Sequence, residues 1–186
     1  MAKQIWRGAN LLNPVPVVMV SCGDGTRDNI ITVAWAGTVC SDPALVSISV
    51  RKERFSHSII ESTGEFAINL VSTGLVRACD MCGVKSGRDV DKFELCGLTR
   101  QDAAVIKAPL IAESPVSLEC RVDRVIELGS HDMFIAKVEC CDVEESILDE
   151  KGKLELEKAG LVAYSHGSYY GLGELLGTFG YSVRKK

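Results

Sequence analysis

Residues 29–56 read N-I-I-T-V-A-W-A-G-T-V-C-S-D-P-A-L-V-S-I-S-V-R-K-E-R-F-S, two strand-like runs joined by the turn Ser41-Asp42-Pro43 and followed by Arg51, Lys52 and Arg54. This order combines two kinds of recognition. A strand edge offers fixed N–H and C=O groups to the polar rim of a flat heterocycle. Guanidinium forks give charge-assisted bonds to phosphate oxygens. Ser56 is expected as the N-cap of a short helix, whose free N–H groups and partial positive charge would face the same anion. Ser49 shares a strand face with Arg51 and is placed to bond the phosphate or its polar linker. The competing reading is a solvated basic edge with an ordinary helix cap, the usual fate of surface charge.

The elements that must position these groups are mostly strands. A β-branched run over 15–21 ends in the turn signal Cys22-Gly23-Asp24-Gly25, and 30–39 resumes as strand, so the two read as a hairpin. Residues 44–51 form a third strand with Leu45, Ser47, Ser49 and Arg51 on one face and Val46, Ile48 and Val50 on the other. A helix is expected over 55–61, stopped near Gly64, and a fourth strand over 65–71. Residues 5–12 suggest a helical turn, 75–82 one or two helical turns, and 83–91 a surface loop. Alternation over 116–122 and 134–140 predicts a long half-buried hairpin whose tip is Gly129-Ser130-His131-Asp132. The glycine-rich stretch 164–181 reads as irregular, docking on another surface. Many strands, few short helices and no βαβ rhythm indicate a mainly β, antiparallel, Greek-key-like barrel.

Bulk properties narrow the function. The chain has 186 residues, within one domain's range, and is 46% hydrophobic and 25% charged. A net charge of −4 and the lack of a long basic block exclude nucleic acid as the main partner. The final Arg184-Lys185-Lys186 reads as a solvated tail. No apolar run reaches the ~18 residues of a membrane span, and the start lacks a secretory pattern, so a cytoplasmic protein is expected. The eight cysteines then read as thiols rather than a disulfide framework. Only Cys79 and Cys82 form C-x-x-C, a minor candidate for thiol–disulfide chemistry. No zinc-type spacing accompanies it, because adjacent Cys140 and Cys141 point to opposite strand faces.

The segments N-I-I-T-V-A-W-A-G, D-P, S-I-S-V-R and R-F-S, then E-F-A-I-N-L, S-G-R-D-V-D-K-F, P-V-S-L-E-C, G-S-H-D with F-I-A-K-V, and H-G-S-Y-Y-G-L-G-E-L-L-G-T-F-G-Y-S occur in order. Together they resemble the FMN-binding split barrel of flavin reductase-like proteins, the flavoredoxin branch in particular. Where many flavin reductases carry Gly-Asp-His, this chain has Gly129-Ser130-His131, with the acid displaced to Asp132.

The resemblance implies non-covalent FMN at a homodimer interface. Asn29, Thr32, Ala34 and Trp35 would then border the ring's pyrimidine edge, and Arg51, Arg54, Ser49 and Ser56 would hold the phosphate end. Lys92 would lie over one ring face or near N1, where a cation favours the reduced, anionic flavin, and Tyr164 would shield the other face. Trp35 as a core aromatic, Thr32 as a strand former and Tyr164 as a packing residue are the alternatives. His131 is a candidate for orienting a nicotinamide, with Arg88 beside the substrate, although either could be simply solvated. His57 and His166 are weaker candidates. The expected activity is a flavoprotein oxidoreductase taking hydride from NAD(P)H or electrons from a small redox protein and passing them to flavin, ferric or protein acceptors. A non-catalytic FMN-binding carrier or interaction module is the alternative.

Overall fold

The computed structural model describes residues 1–184, so Lys185 and Lys186 of the basic tail lie outside the described residues. Twelve strands, β1 (Val15–Pro16), β2 (Val18–Gly23), β3 (Asp28–Val33), β4 (Ala36–Ser41), β5 (Ala44–Arg51), β6 (Glu65–Leu70), β7 (Arg100–Gln101), β8 (Leu110–Ile111), β9 (Val116–Glu127), β10 (His131–Val143), β11 (Val162–Ser165) and β12 (Ser168–Gly171), dominate it. Three α-helices, α1 (Phe55–Thr63), α2 (Val76–Val84) and α3 (Lys92–Cys96), are set among them. The main sheet is antiparallel, in the order β3-β2-β6-β9-β10-β5-β4. It curls, and the Ser49 N–H of β5 donates to the Trp35 carbonyl at 2.8 Å. Trp35 leads into β4, so this bond extends the β4–β5 ladder, and Ile31 and Val33 of β3 meet Val46, Ile48 and Val50 of β5 in one interior cluster that closes the sheet on itself. This is the split barrel that the sequence led us to expect.

The barrel interior follows from period-two alternation. Val18, Val20 and Cys22 of β2, Val46, Ile48 and Val50 of β5, and Phe134 and Ala136 of β10 point into one apolar cluster. Ile59 and Ile60 of α1 plug the same cluster. Gly64 ends α1 in the left-handed conformation (φ 68°), and its N–H donates to the Ile60 carbonyl. On the outer face, Met19 and Ile30 pack against Leu75, Cys79, Cys82 and Phe93 from the α2–α3 layer. Strand β2 is therefore covered on both faces, which explains its unbroken burial.

Among the buried polar side chains, Asn69 joins four elements. The Asn69 amide donates to the Met19 carbonyl (3.0 Å) and Ser21 Oγ (2.9 Å), and accepts from the Ile111 N–H (3.0 Å) and Ser117 Oγ (2.8 Å). All four of its hydrogen-bonding positions are used, which is what makes a buried amide tolerable.

Several local expectations need correction. Residues 30–39 are not one strand. The chain leaves β3 at Val33, crosses at Ala34-Trp35, and re-enters the sheet's opposite edge as β4. A run apolar on both sides of the crossing carries no periodicity break to mark it. Residues 5–12 form no helix, and Ile5, Trp6 and Leu12 are exposed, with no apolar face to fold against. The turn Leu128–Ser130 precedes His131 and Asp132, which already belong to β10. Part of the glycine-rich tail is regular: β11 and β12 form a hairpin that adds β1 at its edge. Beyond it, Leu175, Leu176 and Phe179 are exposed.

Candidate functional site

Helix α1 begins at Phe55, with Arg54 as its N-cap, and no side chain caps its first turn. Ser56 is therefore the second helical residue rather than the cap. Its side chain is fully buried, and its Oγ accepts from Asn29 Nδ2 at 2.7 Å. The expected cap failed because the extended Arg54 backbone (φ −72°, ψ 140°) already turns the chain two residues earlier. The first turn carries no acidic residue. Its free N–H groups and partial positive charge thus remain available to an anion.

A hollow open to solvent lies at this helix start. Its wall takes in Asn29 of β3, Arg54, Phe55 and Ser56 of the helix start, Cys82 and Gly83 of α2, the connecting residues Lys85 to Arg88, and Lys92. Arg54, Lys85, Arg88 and Lys92 outnumber the single acid, Glu53. Two guanidiniums stand over the ring of Phe55, Arg27 at 5.1 Å and Arg88 at 5.5 Å from its centroid. Arg27 also donates to the Gly87 carbonyl (3.2 Å), and Arg88 to the Glu53 carbonyl (3.0 Å), so both sides of the hollow are tied together.

Two details set this hollow apart from ordinary packing. Asn29 is buried, yet its Oδ1 has no hydrogen-bond partner in the protein. An orphaned buried amide oxygen is costly unless a ligand meets it. Gly87 lies so close that a Cβ there would sit 2.0 Å from that same oxygen. The φ of Gly87 is not in the left-handed region, so space and not backbone freedom demands glycine here.

A second hollow adjoins the first, sharing Ile31 and Arg54, and is lined by Thr32, Ala34, Trp35, Ser49, Arg51 and His131 among others. It lies where the chain crosses between sheet edges. His131 stands opposite Arg51 in the β10–β5 ladder, and its Nδ1 lies 2.8 Å from Ser130 Oγ. Arg51 Nε pairs with Glu53 at 2.9 Å. Thr32 Oγ1 donates to the Cys79 carbonyl, so its hydroxyl is satisfied inside the protein.

Lys92 and Tyr164 are placed differently from what the resemblance implies. Lys92 opens α3 and is buried; its Nζ donates to the carbonyls of Ile30 (2.6 Å) and Cys82 (2.7 Å). Burial holds its ammonium below the ordinary lysine range. It borders the helix-start hollow, not the one beside Trp35. Tyr164 lines neither hollow; it meets Tyr169 edge-on at 5.6 Å in the small sheet.

Arg27, Phe55, Lys85 and Gly87 went unremarked in the sequence, though the S-G-R motif of the loop contains Gly87. The tie between His57 and Asp132 was missed as well. Both side chains are buried, His57 Nε2 lies 2.8 Å from Asp132 Oδ2, and Lys52 Nζ reaches Asp132 at 3.3 Å. Burial works to raise the Asp132 carboxyl, but the bonds from His57 and Lys52 prevail and hold it below the usual range. This tie locks α1 to β10 beside His131. Glu119, Cys140 and Asp142 also cluster within 4.8 Å, but Glu119 already accepts three backbone N–H groups (residues 104–106), and its role is to fasten that loop.

Among the described residues no helix is long and apolar enough to cross a membrane. The flavin reductase like domain matches residues 11–173. The flavoredoxin of Desulfovibrio vulgaris (Miyazaki F) shares the fold at a TM-score of 0.91 and 31% identity, covering 98% of this chain and 100% of that one. The flavoredoxin of Methanosarcina acetivorans does so at 0.89 and 26% identity, over 98% and 100% of the two chains. An uncharacterized protein of Archaeoglobus fulgidus is 30% identical over 112 residues, a match spanning 60% of this chain and 63% of that protein's length. These likenesses support a flavin-binding, oxidoreductase-type role. With most of its length matched, the chain belongs to the flavin reductase-like domain family.

Proposed function

We propose that this protein is an FMN-dependent flavoprotein oxidoreductase, folded as a single domain and acting as a homodimer. The phosphate end of FMN fits the hollow at the start of α1, where Arg54, Arg88 and the open helix N-terminus offer charge and donors. The ring end fits the adjoining hollow beside Trp35 and the Ala34-Trp35 crossing. FMN in place supplies the redox chemistry, accepting two electrons and releasing them singly or in pairs.

The protein's own part is to bind and orient. Asn29 Oδ1 accepts from a hydroxyl of the linking chain. Lys92, with two of its three donors committed to carbonyls, keeps β3 and the end of α2 at the spacing the hollow requires. Its third donor faces the phosphate end. His131 and Arg51 flank the ring hollow and orient an incoming donor.

The observation that carries this reading is the orphaned oxygen of Asn29, cleared by Gly87, in the wall of the cationic hollow. Space favours an enzyme over a sealed carrier. Beyond Trp35 and His131 the surface opens into a further hollow lined by Asn10, Leu12 and Val15, from which a donor or acceptor would approach. Hydride from NAD(P)H or electrons from a small redox protein would enter there and leave to free flavin, ferric iron or a protein acceptor.

Steady-state oxidation of NADH and NADPH by the FMN-loaded protein tests the proposal. Turnover with added flavin or ferric acceptor is expected. Tight FMN binding without turnover by either nucleotide, or with a reduced redox protein as donor, would contradict the enzyme reading.

A further inference from the structure

The C-x-x-C pair is not the cysteine pair that the fold brings together. Cys79 and Cys82 sit one turn apart on α2, both buried, and Cys79 lies under Thr32 of β3. The sulfur nearest to Cys82 belongs to Cys96, the last residue of α3, at 3.8 Å. We propose that Cys82 and Cys96 form a reversible disulfide in the folded protein, a redox-modification site that fastens α2 to α3.

The two thiols differ in access, and this sets the order of events. Cys96 is partly buried and lines an outer hollow with Arg77, Met81, Leu95 and Glu113. Cys82 is buried, its thiol pushed up to about 12 by burial and by neighbouring Cys96. Reactivity follows thiolate character and exposure, so Cys96 meets the oxidant first. With a hydroperoxide, the Cys96 sulfur takes one oxygen as its O–O bond breaks, giving a sulfenic acid and an alcohol or water. The Cys82 sulfur then attacks the Cys96 sulfur, the S–O bond breaks, and the departing hydroxide leaves as water with the Cys82 proton. In sum, two thiols lose two electrons and two protons to one hydroperoxide. A dithiol reverses the step by exchange.

The geometry makes closure local. A disulfide holds its sulfurs about 2.05 Å apart, so each of two neighbouring helices moves by less than an ångström from 3.8 Å. Between the cysteines, Lys92 already ties the start of α3 to the Cys82 carbonyl at 2.7 Å. The bridge would reinforce an existing contact between α2 and α3. The proposal rests on this contact alone and stands apart from the flavin assignment.

Trypsin separates the participants: residues 78–85 carry Cys79 and Cys82, and residues 93–100 carry Cys96. The native protein would be treated with hydrogen peroxide, its remaining thiols alkylated, and the unreduced digest read by mass spectrometry. We expect peptide 78–85 joined to 93–100 with Cys79 alkylated, and loss of the link on treatment with dithiothreitol. Cys96→Ser removes the link, whereas Cys79→Ser retains it. A loop between Cys79 and Cys82, Cys96 recovered as sulfinic acid with Cys82 alkylated, or no link at tenfold excess peroxide would overturn the proposal.

Discussion

Replacing Gly87 by alanine tests the site through one added methyl group. The Cβ would sit 2.0 Å from Asn29 Oδ1, 2.5 Å from its Cγ and 3.0 Å from its Nδ2, so the whole amide is obstructed. Asn29 is buried and bonded to Ser56, and it cannot swing aside freely. Relief must come from the loop carrying Arg88, pushed outward by about an ångström, or from loss of the Asn29–Ser56 bond. Overpacking of this kind costs about 1–3 kcal/mol. In the FMN-free protein the loop can relax outward, but binding requires its return, so most of the cost falls on affinity. At 1.4 kcal/mol per tenfold, FMN binding should weaken roughly five- to a hundredfold. Quenching of flavin fluorescence on titration measures it. Gly173→Ala, where an added Cβ meets nothing within 4 Å, is the control and should bind normally. Asn29→Ala removes the obstructed group, so Gly87→Ala in that background should add little. Wild-type affinity for Gly87→Ala alone would refute the assignment of this hollow.

Further outcomes follow from individual contacts. Arg54 borders both hollows, and Arg54→Ala should weaken FMN by about 1.5–3 kcal/mol, the scale of a bond to a charged group; the effect should exceed that of Arg51→Ala, because Arg51 is already paired with Glu53. Isothermal titration of the two variants decides the order. Asn69→Ala strips four bonds from a buried amide and should cost about 2–4 kcal/mol in urea unfolding, with partners left unsatisfied. The Asp132 carboxyl lies lower in the folded than in the unfolded chain, so its stabilisation is present above the ordinary carboxylate pKa and lost as pH falls through the folded value. Stability should therefore drop as pH falls below about 4, and Asp132→Asn should flatten that part of the profile; an unchanged slope would count against the His57–Asp132 tie.

The barrel was legible because its strands alternate. The inward face of β5, Val46, Ile48 and Val50, and that of the β9–β10 hairpin could be read directly. The stop of α1 at Gly64 was equally plain. Other features were silent for physical reasons. The crossing at Ala34-Trp35 interrupts no apolar pattern, since one strand buries both faces. The exposed 5–12 arm carries spaced apolar residues with nothing in the chain to pack against. At the site, charge and residue type pointed to a phosphate, but not which cation would face outward. Lys92 read as a cation over the ring or near N1, whereas two backbone carbonyls draw it into the protein. The His57–Asp132 pair and the Cys82–Cys96 contact join residues 75 and 14 positions apart, and no local spacing encodes them.

A crystal structure of the protein with FMN bound tests the central claim most directly. The phosphate should accept from the Phe55 and Ser56 N–H groups and from Arg54, a linking-chain hydroxyl should meet Asn29 Oδ1, and the ring should lie beside Trp35. FMN seated elsewhere, with Asn29 Oδ1 still unpartnered and Arg54 facing only solvent, would contradict it.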